Sequence, residues 1–383
     1  MRILAITPYF YPHPGGSQKY IEELYVAMMK LQPDLKVDIL CYNTNNSPSE
    51  ELYRGFHIYR VQCTEFLPGQ FALPNPLQLI KVLAKLKKLH TYEVVNSHTR
   101  FFDTSWWTPM LAKYLHAQSI LTDHCAEKPI HNFFIVNWVT WCIDHFWAPI
   151  IAQKYNHITV VSKATQHYLQ TLGIPAETVV YPGVDTQFFA QHKNVTRQVP
   201  HTSKVLAKNE VVVSFMGRMI QSKGPQIFLE SMSALLSNNS QLQIIVAGSG
   251  PLLNTLKDRY QHERITFTGQ LNREEVAEVL NLTDVIVMPS THHEGFPITI
   301  LEAGAAGCAV ITTAQGGTSE VITDEKTGLV IEPNVTSTKA AVQKLLDDSF
   351  LRRQLTSTLH ETVKAQFTWE KSAQKFLNVT HKV

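Results

Sequence analysis

What this 383-residue chain lacks narrows its function before any motif is read. It has five cysteines (Cys41, Cys63, Cys125, Cys142 and Cys308), scattered and odd in number, with no C-x-x-C pair. Neither a disulfide framework nor a cysteine zinc site is expected, and a reducing cytosol is the natural compartment. Charge of one sign is also missing: the formal net charge is only +2, so bulk electrostatics do not point to nucleic acid. No run reaches the ~18 uninterrupted apolar residues of a spanning helix. The nearest, "FFIVNWVTWCIDHFWAPII" from Phe133 to Ile151, is broken by Asn137, Asp144 and His145. "MRILAITPYF" at the start has one basic residue and no A-x-A-like site, and reads as a buried first strand rather than a signal peptide. There are no low-complexity tracts, and no Asp-x-Asp for a metal–phosphate site.

What is present is alternation. "RILAIT", "KVDILCY", "EVVNSH", "SILTDH" and "HITVVS" read as strands, with "SQKYIEELYVAMMKL" and "NPLQLIKVLAKLKKLH" as helices among them. The pattern restarts with "EVVVSFMGR", "PQIFLESMSALLS" and "QLQIIVAG", followed by "ITFTG", "DVIVMPS", "CAVITT" and "GLVIEP". Strands alternating with helices predict parallel sheets with crossover helices, here an α/β chain of two doubly wound, Rossmann-like halves. The polar, aperiodic stretch 186–210 is the expected boundary. This gives domains at 1–195 and 205–365, with 366–383 returning to the first. Ligands on such sheets lie beyond the carboxyl ends of the strands, and a cleft between two facing halves is the expected binding place.

Several short stretches carry chemistry. Gly15 and Gly16 lie between the first strand and a helix, where backbone can approach an anion at a helix N-terminus; an ordinary βα turn explains them equally well. Gly248 and Gly250 form only part of a dinucleotide fingerprint. Leu253 stands where the third glycine would be and no acidic residue ends the next strand, so a tight turn is the reading. Arg218 and Lys223 flank the loop after the first strand of the second half. A planar fork and a mobile point charge there suit a diphosphate whose charge grows as its bond to carbon breaks; two solvated surface charges are the plainer alternative.

In "EGFPITILEAGAAG", Pro297 is placed to start a helix and Gly307 to end it, which puts Glu294 in the preceding loop and Glu302 inside the helix. Free amides around Phe296, Ile298 and Thr299 suit phosphate. Eight residues at the helical rise separate the glutamates by roughly 12 Å. A retaining glycosidase needs its carboxyls about 5 Å apart, so the pair is not a hydrolytic dyad but two grips on one extended ligand.

"E-G-F-P-x-x-x-L-E-A-x-A-x-G" resembles the E-x7-E motif of retaining GT-B glycosyltransferases of family 4, the glycosyltransferase group 1 family. In the same order come the Gly15-Gly16 loop, "VVNSH" ending in His98, "VVSKATQHYL", "YPGVDTQFF", "GRMIQSKG", "VAGSGP", "ITFTGQL", "DVIVMPS" and "GGTSEVITDEKTGLVIEP". The resemblance covers nearly the whole chain. It implies a retaining hexosyltransferase moving a sugar from a UDP- or GDP-sugar to a hydroxyl, with a lipid-linked or growing glycan of cell-surface polysaccharide as acceptor.

By resemblance Gly16 gives its amide to the donor phosphate, and His98 contacts the transferred sugar. Arg218 and Lys223 clamp the diphosphate, joined by the backbone of Phe296, Pro297 and Ile298. Glu294 orients the donor sugar and Glu302 holds the ribose. No metal and no cofactor besides the donor are implied, and the leaving diphosphate itself takes the acceptor's proton. The last segment, "FTWEKSAQKFLNVTHKV", resembles a final helix that returns to the first domain. Pro182 departs from the family's frequent Asn-Gly-Val-Asp at Pro182-Gly183-Val184-Asp185. The alternatives are a non-catalytic nucleotide-sugar binding protein, or an epimerase or phosphorylase on a similar scaffold.

Five of the six tryptophans fall between Trp106 and Trp147. Phe134, Trp138, Trp141 and His145 recur at helical spacing, a stripe that either faces the core or, with the basic helix "KVLAKLKKLH", docks on an anionic membrane. The protein is thus expected in the cytoplasm, with peripheral contact at the membrane's cytoplasmic face, and no nucleic-acid partner. His292 and His293 have the look of metal ligands but lack a third, so loop residues facing the donor are the expected role.

Overall fold

The computed structural model describes residues 1–13, 15–67, 69, 71–127, 134–192 and 196–381. The chain divides into two units, 1–183 with 369–383, and 184–368.

The first unit holds β1 (Arg2–Ile6), β2 (Lys36–Asn43), β3 (Glu50–Tyr53), β4 (Phe56–Leu67), β5 (Phe71–Pro74), β6 (Val94–His98), β7 (Gln118–Asp123), β8 (His157–Val160) and β9 (Thr178–Val179). Their order is β3-β4-β2-β1-β6-β7-β8-β9, with β5 on β4. Pairing is parallel except at the β3–β4–β5 edge. Central strands covered on both faces need continuous apolar runs. Ile3, Leu4, Ala5 and Ile6 of β1 are all fully buried. The helix Gly16–Leu31 lays Tyr20, Leu24, Tyr25 and Met28 inward. The final helix Trp369–His381 packs on it through Trp369 against Tyr20 and Phe376 against Tyr25.

The second unit holds β10 (Val211–Met216), β11 (Leu242–Ala247), β12 (Ile265–Gly269), β13 (Val285–Met288), β14 (Ala309–Thr312) and β15 (Leu329–Val330). All are parallel, in the order β12-β11-β10-β13-β14-β15. Each sheet therefore reverses its winding beside its first strand, between β1 and β6 and between β10 and β13. In open α/β sheets that switch point is where ligands bind.

Two boundaries differ from expectation. The first unit ends at Gly183, before the predicted limit at 195, which lies outside the described residues. The helix Thr186–Gln191 belongs to the second unit. Asp185 caps it by accepting from the Phe188 amide at 3.0 Å, and Asn281 Nδ2 donates to the Phe189 carbonyl at 3.0 Å. The return to the first unit begins at Trp369 rather than 366, because Phe367 packs its ring on Phe296 of the second unit.

The stripe Phe134–Trp138–Trp141 does not face the core. The helix Phe134–Cys142 buries none of its residues, and Phe134 is 82% exposed. A π-helical turn, Ile143–Trp147, follows it. Among the described residues no helix is long and apolar enough to cross a membrane.

Candidate active site

In the second unit the loops after β10 and β13 meet at the switch point. After β10, Gly217 donates to the Ala247 carbonyl at 3.0 Å, and Met219 to that of Ser249 at 2.8 Å. Gly248 permits this approach: with φ at +128°, any Cβ there would stand 2.0 Å from the Gly217 oxygen. The G-S-G stretch thus works as a tight turn that presses two loops together and leaves Arg218 exposed between them. Lys223 ends a short 3₁₀ turn, Gln221–Lys223. Gly224 follows at φ +71°, where a Cβ would lie 2.2 Å from the Pro289 carbonyl. The lysine loop is thereby held against the exit of β13, with the Thr291 amide donating to the Ser222 carbonyl at 2.9 Å.

That contact brings Lys223 to Glu294. The ammonium lies 2.6 Å from Oε2, and the Ser290 hydroxyl donates to Oε1 at 2.7 Å. Burial pushes the Glu294 carboxyl up. The Lys223 charge and hydrogen bond, the Ser290 hydroxyl and the Arg218 charge outweigh it and hold the group below its ordinary value. Both side chains keep about a quarter of their surface, 26% for Lys223 and 23% for Glu294, so the pair stays accessible. Its backbone is fixed from the other side. The Gly317 amide donates to the Glu294 carbonyl at 3.0 Å, and the Gly316 amide to His293 Nδ1 at 2.9 Å. Gly316 at φ +57° leaves room for no side chain, since its Cβ would be 1.9 Å from the Glu294 oxygen.

The helix Ile298–Ala306 begins three residues beyond Glu294's neighbour Gly295. Pro297 is its N-cap and Gly307, at φ +85°, its C-cap. No side chain caps the N-terminus, so the first-turn amides of Ile298 and Thr299 point outward without helical acceptors. Phe296 and Ile298 are half-buried, and Pro297, which has no N–H to give, is buried and shapes the entry. Glu302 sits one turn further along, 5% exposed. The structure thus brings Arg218, Lys223, Ser290 and Glu294 together at one helix N-terminus and sets Glu302 deeper.

The first unit builds a different kind of site. Gly16 begins its helix exposed, and a Cβ there would touch nothing within 4 Å. Neither backbone strain nor packing demands glycine at this position. His98 ends β6 and is buried; its Nδ1 lies 3.1 Å from Nε2 of His124, which follows β7 and is part-exposed. The rings of Tyr20 and Tyr25 stand edge-on to His98, and Tyr20 to His124. Burial, with a smaller contribution from His124, drives the His98 imidazole well below its ordinary value. Burial takes His124 down to about 4 against the pull of Asp123. Both are neutral at pH 7, one donating to the other. His98 Nε2 is buried without a partner among the described residues.

Sequence reasoning passed over His124, Ser290 and Gly316. His124 stands after "SILTD" as His98 stands after "VVNS", and that repeat of a strand ending in histidine was the available signal. The two histidines of the loop, His292 and His293, are exposed, and His293 is engaged with the Gly316 amide.

Two parallel α/β units of this topology define the GT-B glycosyltransferase fold. Solved structures agree over the whole chain. Sucrose-phosphate synthase from Thermosynechococcus elongatus superposes with a TM-score of 0.76 at 21% identity, covering 100% of this chain and 98% of that one. Anabaena Alr3699/HepE in complex with UDP-glucose gives 0.75 at 16% identity, covering both chains completely. The family model for glycosyl transferases group 1 matches residues 197–361, and that for glycosyltransferase family 4 matches 14–188. The chain belongs to this group 1/family 4 class of glycosyltransferases. A GDP-mannose-dependent alpha-(1-6)-phosphatidylinositol monomannoside mannosyltransferase of Mycobacterium tuberculosis is 29% identical over 98% of this chain and 96% of its own length.

Proposed function

We propose that the protein is a retaining glycosyltransferase that takes a sugar from a UDP- or GDP-sugar and places it on a hydroxyl of a lipid-linked or growing glycan. The observation that carries the reading is Glu294, held ionised by Lys223, Ser290 and Arg218 at an uncapped helix N-terminus. A carboxylate accepts only, so it suits sugar hydroxyls; the cations and amides beside it suit the diphosphate. In this reading Arg218 and Lys223 bind the two phosphates with the Phe296–Ile298 backbone. Glu294 orients the sugar and Glu302 takes the ribose hydroxyls. His124, the part-exposed member of its pair, faces the transferred sugar with His98 behind it.

The C–O bond to the diphosphate breaks as the acceptor oxygen attacks the anomeric carbon on the same face. The acceptor's proton passes to the departing diphosphate oxygen, so no separate base is required. Arg218 and Lys223 neutralise the charge that develops there. No metal is required in this scheme, so protein treated with EDTA is expected to retain its activity. The exposed aromatic helix, with Lys81 and Lys88 exposed on the helix Pro76–Leu89, supports docking on an anionic lipid surface at the cytoplasmic face. The phosphatidylinositol-linked acceptor in the mycobacterial relative's name supports the same choice.

A thermal-shift panel of UDP-, GDP- and ADP-sugars tests the donor reading, because a ligand bound only by the folded state raises its stability. UDP- or GDP-sugars are expected to raise Tm by several degrees in the wild type and much less in Arg218→Ala. Absence of any shift, or an equal shift in the variant, contradicts the reading.

A further inference from the structure

Arg100 lies two residues beyond His98 and is 2% exposed. Its guanidinium donates through Nη1 to Asp123 Oδ1 at 2.7 Å and to the Cys125 carbonyl at 3.2 Å, so it brackets His124 from both neighbours. Its backbone amide donates to Asp123 Oδ2 at 3.1 Å, and Asp123 in turn accepts from the Cys125 amide at 2.8 Å. The other edge of the guanidinium donates through Nε to Asp144 Oδ1 at 2.9 Å. Asp144 is fully buried, accepts from the Tyr168 hydroxyl at 2.8 Å, and belongs to the π-helical turn that continues the exposed aromatic helix. The guanidinium also lies over the rings of Phe101 and Tyr168, with centroids at 4.3 and 5.1 Å.

Between His98 and Arg100 stands Thr99 at φ +68°, a left-handed conformation that a β-branched residue adopts only when its surroundings impose it. The Thr99 carbonyl accepts from the Ser105 hydroxyl at 2.8 Å, and its amide donates to the Thr122 carbonyl at 2.9 Å. A buried cation with two carboxylates is a poor source of stability compared with apolar packing, and it fixes geometry instead. Only a planar fork satisfies Asp123, Asp144 and the Cys125 carbonyl together.

We propose that Arg100 is the positioning residue of the His98–His124 pair, and that Asp144 makes the aromatic helix a working part of that site. Arg100 donates no hydrogen bond to either imidazole; it sets where both strand ends place them. The inference rests on the reading that this pair serves the transferred sugar.

The test uses the full-length protein in three variants: Arg100→Lys keeps the charge and loses the fork, Asp144→Asn keeps the shape and loses the charge, and Tyr168→Phe removes one hydroxyl. The expected result is a fall in kcat of about tenfold or more for the first two and a few-fold for the third. Donor Kd stays within twofold, and the imidazole NMR signals of His98 and His124 shift in each. Should Arg100→Lys fail to fold, Asp144→Asn and Tyr168→Phe carry the test. Unchanged turnover, or an equal loss of donor affinity and turnover, overturns the proposal. His124→Ala separates the two levels. If it transfers at the wild-type rate, the reading of the pair falls. If it is impaired while Asp144→Asn and Tyr168→Phe are not, only the positioning role of Arg100 falls.

Discussion

The two units use one architecture for opposite electrostatic ends. At the switch point of the second, three charged side chains, Arg218, Lys223 and Glu294, keep solvent-exposed surface, and the carboxylate is kept charged by the cations around it. At the switch point of the first, a buried histidine and its part-exposed neighbour lie against tyrosine rings and are kept neutral. A parallel sheet presents strand ends and helix N-termini in either case; which ligand portion each half suits is decided by the side chains set there. The charged half suits a polyanion. The neutral half suits a group that must exchange hydrogen bonds without carrying charge.

Breaking the charged half has the largest expected effect. Arg218→Ala and Glu294→Gln should each lower turnover by ~10²-fold, as loss of one stabilising group for developing charge does elsewhere. Steady-state kinetics with the donor identified by thermal shift checks this, and wild-type rates in Arg218→Ala refute the clamp.

Acid titration sharpens the contrast at an intermediate size. His98 and His124 are neutral when folded, while the unfolded imidazoles protonate near 6.5. The unfolded chain therefore binds more protons below that pH, and stability falls as pH drops from about 6.5 toward 4. The full loss is on the order of 3 kcal/mol for His124. Glu294 acts later. Its folded value is depressed, so its contribution persists above the ordinary carboxylate range and is lost only as pH falls through that lower value. Urea unfolding at pH 7, 6 and 5 should show the decline in the wild type and a flatter profile in His124→Gln. Equal slopes would mean that the pair does not carry it.

The smallest expected effect lies at the exposed aromatic helix. Trp138→Ser with Phe134→Ser should abolish sedimentation with phosphatidylserine-containing vesicles. Turnover of a water-soluble acceptor should change by less than about twofold, since neither side chain supports the core. Unaltered vesicle binding would remove the membrane from the account.

Much of this was legible in the sequence because parallel strands advertise themselves as short apolar runs, and because Pro297 and Gly307 mark a helix by their own backbone limits. The β3–β4–β5 edge was not. "FHIYRVQCTEFL" alternates apolar with polar residues over an antiparallel edge, and no continuous run announces it. The unit boundary escaped because the helix Thr186–Gln191 is assigned by what it touches, Asn281 among them. The periodicity of Phe134, Trp138 and Trp141 gave a face but not its direction. At the site, the E-x7-E stretch was readable, whereas the Lys223–Glu294 contact depends on Gly224 lying against Pro289. The His98–His124 pair depends on β6 and β7 being neighbours in the sheet.

The central claim is tested most directly by a crystal structure with a non-transferable UDP- or GDP-sugar analogue, whichever binds more tightly. The account predicts phosphate oxygens within hydrogen-bonding distance of Arg218, Lys223 and the amides at Ile298 and Thr299, with Glu294 on the sugar hydroxyls. A nucleotide seated away from the β10 and β13 loops, with the Lys223–Glu294 ion pair undisturbed, would contradict it.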